Sequence, residues 1–387
     1  MKEKYDVGIL GVWFGCNYGS IATYYSLYYA IEQMGKSVLM IHRPYLEHFE
    51  ESSMEERHSL KFARAHYDIS PAYRVDEIKK LNDVCDAFVL GADQLWKYNV
   101  TKIFGHSYFL DFADKNKTKV SYATSFGAAR FTAPKKFMWK AVKCFRRMNY
   151  VSVREKINVN MCEKLFGIRA EHVLDPVLLC DNKCLGAIAD ESNREIKSDY
   201  IAAYILDPTP EKREALLRMA KKYNKKLVVM LDGWPHLFEG NKEKMDLNEY
   251  VKSDVNVNDW LFYFKHSDMV ITDSFHGTCM ALLFEKPFYA IANEGRGSDR
   301  FISLLEEFNL MDRFVWNPND IGNAENELSL DYTNVNAILN AKREKSMNWL
   351  KNALNSKEKN HSVVIRKEVL FPLRVRKSIK LYEESKR

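Results

Sequence analysis

Residues 7–41 read VGILGVWFGCNYGSIATYYSLYYAIEQMGKSVLMI, and this stretch decides the fold. The apolar run at 7–10 has a strand pattern and ends in a glycine-rich loop. A helical segment follows over about residues 20–34 and is closed by Gly35. Residues 37–41 form a second apolar strand. Strand, helix and strand joined by short loops make a βαβ unit, whose two strands must run parallel.

The same alternation continues along the chain. Further strand patterns lie at 87–90, 120–123, 151–153 and 171–173, which completes a first Rossmann-like domain over 1–185. A polar stretch at 180–198 reads as a linker. A second series then begins: strand 200–206, helix 210–222, strand 227–231, helix 259–266, strand 269–272, a helix from Gly277, and strand 288–291. The second domain is expected over 198–330, with C-terminal helices and a basic tail over 331–387; 335–354 has the spacing of a long amphipathic helix. The fold class is therefore α/β, with two Rossmann-like domains facing a cleft and a helical extension.

Composition bounds the function. With 387 residues, 46% hydrophobic and 13% aromatic, the chain exceeds one ordinary core and is apolar enough to fold. No apolar run is long enough to span a bilayer, and the chain enters its first strand without a signal-peptide core, so a cytoplasmic location is expected. Seven scattered cysteines fit reduced thiols, and no metal spacing occurs among them. The formal charge of +6 is concentrated at the end: residues 361–387 hold eight Lys/Arg against three Glu. The remainder is near neutral and carries no nucleic-acid-binding motif. The tail has two readings, a peripheral contact with the inner face of an anionic membrane or a packed helix with a solvated basic face.

In doubly wound domains ligands bind beyond the carboxyl ends of the strands, so the loops there carry the chemistry. The first, Gly15-Cys16-Asn17-Tyr18-Gly19-Ser20, offers Asn17 and Tyr18 to a hydroxylated ligand but is neither a dinucleotide fingerprint nor a Walker loop. The second, Gly91-Ala92-Asp93-Gln94-Leu95-Trp96, presents an acid, an amide and an indole, a set suited to a sugar. Its plainer reading is that Asp93 caps a helix and Trp96 fills the core. The third places Arg154 at a strand end, either as an anion clamp or as half of an ion pair.

The fourth is Thr272-Asp273-Ser274-Phe275-His276-Gly277-Thr278, where an apolar strand turns into a helix. A helix starting there, capped by Asp273 or Ser274, would offer the Gly277 and Thr278 amides to an anion beside His276, a residue suited to proton transfer near neutral pH. The loop Glu294-Gly295-Arg296-Gly297-Ser298-Asp299-Arg300 follows the next strand and brings two arginines to the same side.

Taken in order with Tyr108-Phe109-Leu110-Asp111-Phe112, Ser121-Tyr122-Ala123-Thr124-Ser125-Phe126-Gly127, Val151-Ser152-Val153-Arg154-Glu155-Lys156, Leu174-Asp175-Pro176-Val177-Leu178-Leu179 and Ser298-Asp299-Arg300-Phe301, these motifs resemble the polysaccharide pyruvyl transferase family over about residues 7–313. The resemblance implies a GT-B type fold and transfer of a pyruvyl group from phosphoenolpyruvate onto two hydroxyls of a hexose, giving a cyclic ketal in a surface polysaccharide or its polyprenyl-diphosphate-linked precursor. It requires neither metal nor cofactor. His276 and Asp93 are then the catalytic candidates; Ser274, Gly277, Thr278, Arg300, Arg296 and Arg154 bind the donor; Asn17, Tyr18, Gln94 and Trp96 bind the acceptor from the first domain. Many members carry Arg-Leu-His where this chain has Ser274-Phe275-His276. Arg300 or Arg296 replaces that arginine, or the donor differs. Two other classes stand beside this one, a nucleotide-sugar glycosyltransferase on the same fold and a non-catalytic carbohydrate-binding protein.

Overall fold

The structure is a computed structural model that describes residues 2–45, 57–127, 131–196, 198–322 and 328–356. The basic stretch 361–387, and with it the expected membrane contact, lies outside the described residues.

Among the described residues eleven strands form two sheets, all of whose pairings are parallel. In chain order they are β1 (Tyr5–Leu10), β2 (Val38–Met40), β3 (Cys85–Leu90), β4 (Thr118–Ser121), β5 (Tyr150–Val153), β6 (Glu171–His172), β7 (Tyr200–Ile205), β8 (Lys226–Leu231), β9 (Met269–Thr272), β10 (Phe288–Ile291) and β11 (Phe314–Val315). The first sheet has the order β2-β1-β3-β4-β5-β6 and the second β11-β10-β9-β7-β8. Each therefore starts with its second strand beside its first and then reverses direction. The reversal falls between β1 and β3 in one sheet and between β7 and β9 in the other. Ligands bind in such sheets at the carboxyl end of that switch point.

The central strands are largely apolar, as expected where helices cover both faces of a parallel sheet. All six residues of β7 (Tyr-Ile-Ala-Ala-Tyr-Ile) and all four of β9 and β10 are buried. Helices begin where the sequence supplies caps: Thr209 accepts a bond from the Lys212 amide at the start of Pro210–Tyr223, and Asn256 with Asp259 forms a reciprocal capping box at the start of Val257–Lys265. The supposed linker contains a helix of its own, Asn182–Asp190, capped by Asp181 and burying Leu185, Ile188 and Ala189. Its short apolar core among polar flanks hid the period.

The chain divides into two compact units, neither of which is one continuous stretch. The first comprises 1–14, 23–179 and 342 onward; the second comprises 15–22 and 180–341. The helix Tyr18–Glu32 and the helix Tyr332–Asn355 thus each contribute to both. In the first unit Ser346 Oγ accepts the Leu174 amide at 3.1 Å and Trp349 packs 6.1 Å from the Tyr122 ring, so the end of the long helix braces that unit. No helix among the described residues is long and apolar enough to cross a membrane.

Candidate active site

In the second unit, β9 ends at Thr272 and the helix Phe275–Leu283 begins with Ser274 as its cap. The cap consumes the donors assigned to an anion: the Gly277 amide bonds to Ser274 Oγ at 3.3 Å and the Thr278 amide to the Ser274 carbonyl at 3.0 Å. Ser274, Gly277 and Thr278 therefore build the turn and do not present a free anion cradle. Thr278 is fully buried, and its hydroxyl donates to the same Ser274 carbonyl at 3.2 Å. Gly277 is a glycine because the helix starts hard against β9, where any Cβ would collide with the Thr272 side chain.

His276 occupies the first turn of this helix and is 6% exposed. Its ring lies edge-on to Phe275, with centroids 5.3 Å apart. Gly19 packs so closely on His276 that a side chain there would overlap it. The segment carrying Gly19, with Asn17 and Tyr18, belongs to the second unit, whereas Asp93 belongs to the first. Tyr18 is an anchor: its hydroxyl donates to the Val255 carbonyl at 2.9 Å and its ring stacks on Trp260 at 5.9 Å. Asn17 caps the next helix, its side-chain oxygen accepting the Ser20 amide at 3.0 Å.

Around the switch point of the second sheet lies a charge network that sequence reading missed. Asp273, 1% exposed, accepts the amides of Leu206 at 2.6 Å and Asp207 at 3.0 Å, together with Lys212 Nζ at 2.7 Å. It thereby ties the loop after β7 to the loop after β9. Asn293, following β10, donates to Asp207 at 2.7 Å and to Asp273 at 3.3 Å. Arg296 reaches Asp207 at 2.7 Å and Asp232 at 3.1 Å. Burial pushes the Asp207 carboxyl up, but hydrogen bonds from Arg296 and Asn293 outweigh it and leave it below the usual carboxylate range. Burial likewise opposes the Arg296 charge, and the two aspartates more than restore it. Arg296, assigned to the donor, is thus paired with two carboxylates in this structure. The only signal for this network was the position of Asp207, Asp232 and Asn293 just past strand ends. Among the described residues no group of three or more His, Cys, Asp or Glu is placed to hold a metal ion.

Arg300 differs. Its guanidinium lies 5.3 Å from the Phe275 ring centroid and bonds to the Arg296 carbonyl at 2.7 Å. The His276 ring and the Arg300 guanidinium therefore each lie against Phe275 in the second unit.

In the first unit Asp93 follows β3 at that sheet's switch point with φ of 81°, a left-handed conformation that costs a non-glycine residue about 1–3 kcal/mol. The turn is held by the Ser125 amide on the Asp93 carbonyl at 2.9 Å and by the Gln94 amide on Asp93 Oδ1 at 2.8 Å. Asp93 retains 20% side-chain exposure, and Gln94 is half-buried beside it. Arg154 spends all three guanidinium nitrogens internally, on Glu155 at 3.0 Å, Asp175 at 2.8 Å and Asp93 at 3.2 Å. With 1% side-chain exposure it is the counter-ion of a buried carboxylate cluster, which corrects its reading as a donor clamp. Trp96 is fully buried among Phe109, Phe126 and Phe145, with its indole N–H on the Tyr108 carbonyl at 2.9 Å. It fills core and does not stack on a ligand.

Comparison with solved structures finds two parallel-sheet α/β domains of the GT-B type. A UDP-GlcNAc 2-epimerase from Methanocaldococcus jannaschii aligns with a TM-score of 0.53 at 13% identity, covering 92% of this chain and 95% of that one. The MnaA–UDP complex of S. aureus aligns with a TM-score of 0.50 at 14% identity, over 92% and 99% of the two chains. At such identities the likeness concerns the fold alone. No curated protein matches the sequence. The sequence profile of the polysaccharide pyruvyl transferase family matches residues 17–295, well over half of the chain, and the chain belongs to that family.

Proposed function

We propose that the chain transfers the enolpyruvyl group of phosphoenolpyruvate onto two hydroxyls of a hexose in a surface polysaccharide or its lipid-linked precursor, forming a pyruvate ketal. The observation that carries this reading is the contact of both His276 and Arg300 with Phe275, at the carboxyl edge of the second sheet. A proton donor and a cation that share one aromatic neighbour suit a substrate whose anionic groups must be held while its methylene carbon is protonated.

His276 gives its proton to the methylene carbon of phosphoenolpyruvate, which becomes the methyl group and leaves C2 electrophilic. A sugar hydroxyl adds to C2, and its proton returns to the imidazole. Phosphate then leaves, the second hydroxyl closes the ring at C2, and its proton departs with phosphate. Arg300 holds the donor's carboxylate or phosphate. Asp93 and Gln94 are assigned to the acceptor; the carboxylate of Asp93, backed by Arg154, accepts a hydrogen bond from a sugar hydroxyl. The reading needs no metal or cofactor and suits an enzyme working at the cytoplasmic side of the membrane where glycans are assembled on lipid carriers.

Thermal stabilisation tests the donor, because a ligand that binds only the native state raises its stability. Phosphoenolpyruvate should shift the melting temperature where UDP-, GDP- and CMP-sugars do not, and the shift should disappear in Arg300→Ala. A selective shift with a nucleotide sugar would overturn the proposal in favour of glycosyl transfer. Sugar binding with no response to any donor would point to a carbohydrate-binding protein without turnover.

A further inference from the structure

The helix Lys135–Phe145 of the first unit carries no carboxylate along its length. One side of it, with Met138, Ala141, Val142 and Phe145, is buried in the core. The other exposes Lys135, Lys136, Lys140 and Lys143 together with Trp139, which is 38% exposed. The Lys143 ammonium sits 4.8 Å from the centre of the Trp139 ring. Beside them Phe137 stacks on His106 at 4.2 Å and meets Tyr98 edge-on at 5.0 Å, lining a shallow cavity of about 570 Å³ with lysines at its mouth. Asp111 pairs with Lys140 at 2.7 Å.

A solvated helix face ordinarily mixes both signs of charge and hides its indoles. Here four exposed cations, one of them paired with Asp111, share a helix with an exposed tryptophan that one of them contacts. That combination matches the boundary of an anionic bilayer, where an indole settles among the headgroups and lysine stems lie along apolar surface while their ammonium groups reach phosphates. We propose that this face docks the protein on an anionic phospholipid membrane. The inference does not depend on which reaction the protein catalyses, and it concerns a surface separate from residues 361–387.

Sedimentation of the full-length protein with vesicles tests it. Wild type should sediment with phosphatidylcholine vesicles containing phosphatidylglycerol and stay in solution with phosphatidylcholine alone. A lysine near such a surface is worth about fivefold in partitioning, so Lys136→Gln, Lys140→Gln and Lys143→Gln together should weaken it by about a hundredfold. Unchanged partitioning of that variant would assign the binding to another surface and overturn the proposal. So would equal binding to both vesicle types, or absence of vesicle binding alongside binding of an oligonucleotide. Should the triple variant fail to fold, brominated lipid provides a second readout: it should quench wild-type tryptophan emission more than that of Trp139→Phe, and equal quenching would overturn the docking face.

Discussion

Gly19 is the wall against which the His276 ring rests: any Cβ at position 19 would lie inside the van der Waals surface of that imidazole. The two residues are far apart in sequence and share one compact unit. Gly19→Ala should push the ring out of place. Overpacking of this kind costs about 1–3 kcal/mol, visible as a lowered denaturation midpoint, and pyruvyl transfer should fall as far as it does in His276→Gln. A Gly19→Ala protein with wild-type turnover would separate His276 from the chemistry.

Arg300 and Arg154 should fail in different ways. Removing a charge-assisted hydrogen bond to a bound anion costs about 1.5–3 kcal/mol, so Arg300→Ala should raise KM for phosphoenolpyruvate by about ten- to a hundredfold with little change in melting temperature. Arg154→Met leaves Glu155, Asp175 and Asp93 without their common partner and should be destabilising by about 3–5 kcal/mol, as found for broken buried ion pairs. A stable Arg154→Met protein with a raised donor KM would return Arg154 to the donor site.

The Lys212–Asp273 pair is the buried centre of the second unit's network, with side-chain exposures of 8% and 0%. Lys212→Met should cost about 3–5 kcal/mol in chemical denaturation, because Asp273 keeps its charge and two backbone amides but loses its cation. The double variant Lys212→Met/Asp273→Asn should recover part of that loss. Strict additivity of the two single effects would mean that the pair is not coupled.

Stability should also depend on pH through His106. Burial holds its imidazole below the ordinary histidine range, outweighing its bond to the Phe137 carbonyl at 3.1 Å. As pH falls the unfolded chain therefore takes up this proton first. The contribution is fully present above the unfolded pKa of about 6.5 and is lost as pH descends toward the lower folded value. His106→Gln should flatten the dependence of melting temperature on pH between about 7 and 5. An unchanged slope would place the titration elsewhere.

The strands were legible because a parallel strand buried on both faces is an uninterrupted apolar run, and Tyr200–Ile205 and Phe288–Ile291 are such runs. Phe314–Val315 escaped because two residues cannot display a period. The histidine turn was legible as a strand meeting a helix, although the helix starts at Phe275 and not at Gly277. What sequence could not reveal was long-range commitment. Asp273 accepts from amides more than sixty residues away, Arg154 is matched by Asp175 and Asp93 on other loops, and Arg296 by Asp207 and Asp232. An arginine past a strand end looks the same on paper whether its partner is a ligand or a carboxylate that the fold delivers.

The segment 15–22 carries a practical consequence for anyone dissecting this molecule. Cutting the gene near residue 180 would yield a C-terminal fragment deprived of Tyr18, whose ring covers Trp260, and of Gly19, against which His276 rests. Such a half would be born with a gap in its aromatic core and its key imidazole unsupported. Recombining halves of related proteins at that junction would meet the same obstacle. The functional module of the second unit is written in two places, and an exchange that respects it has to carry both.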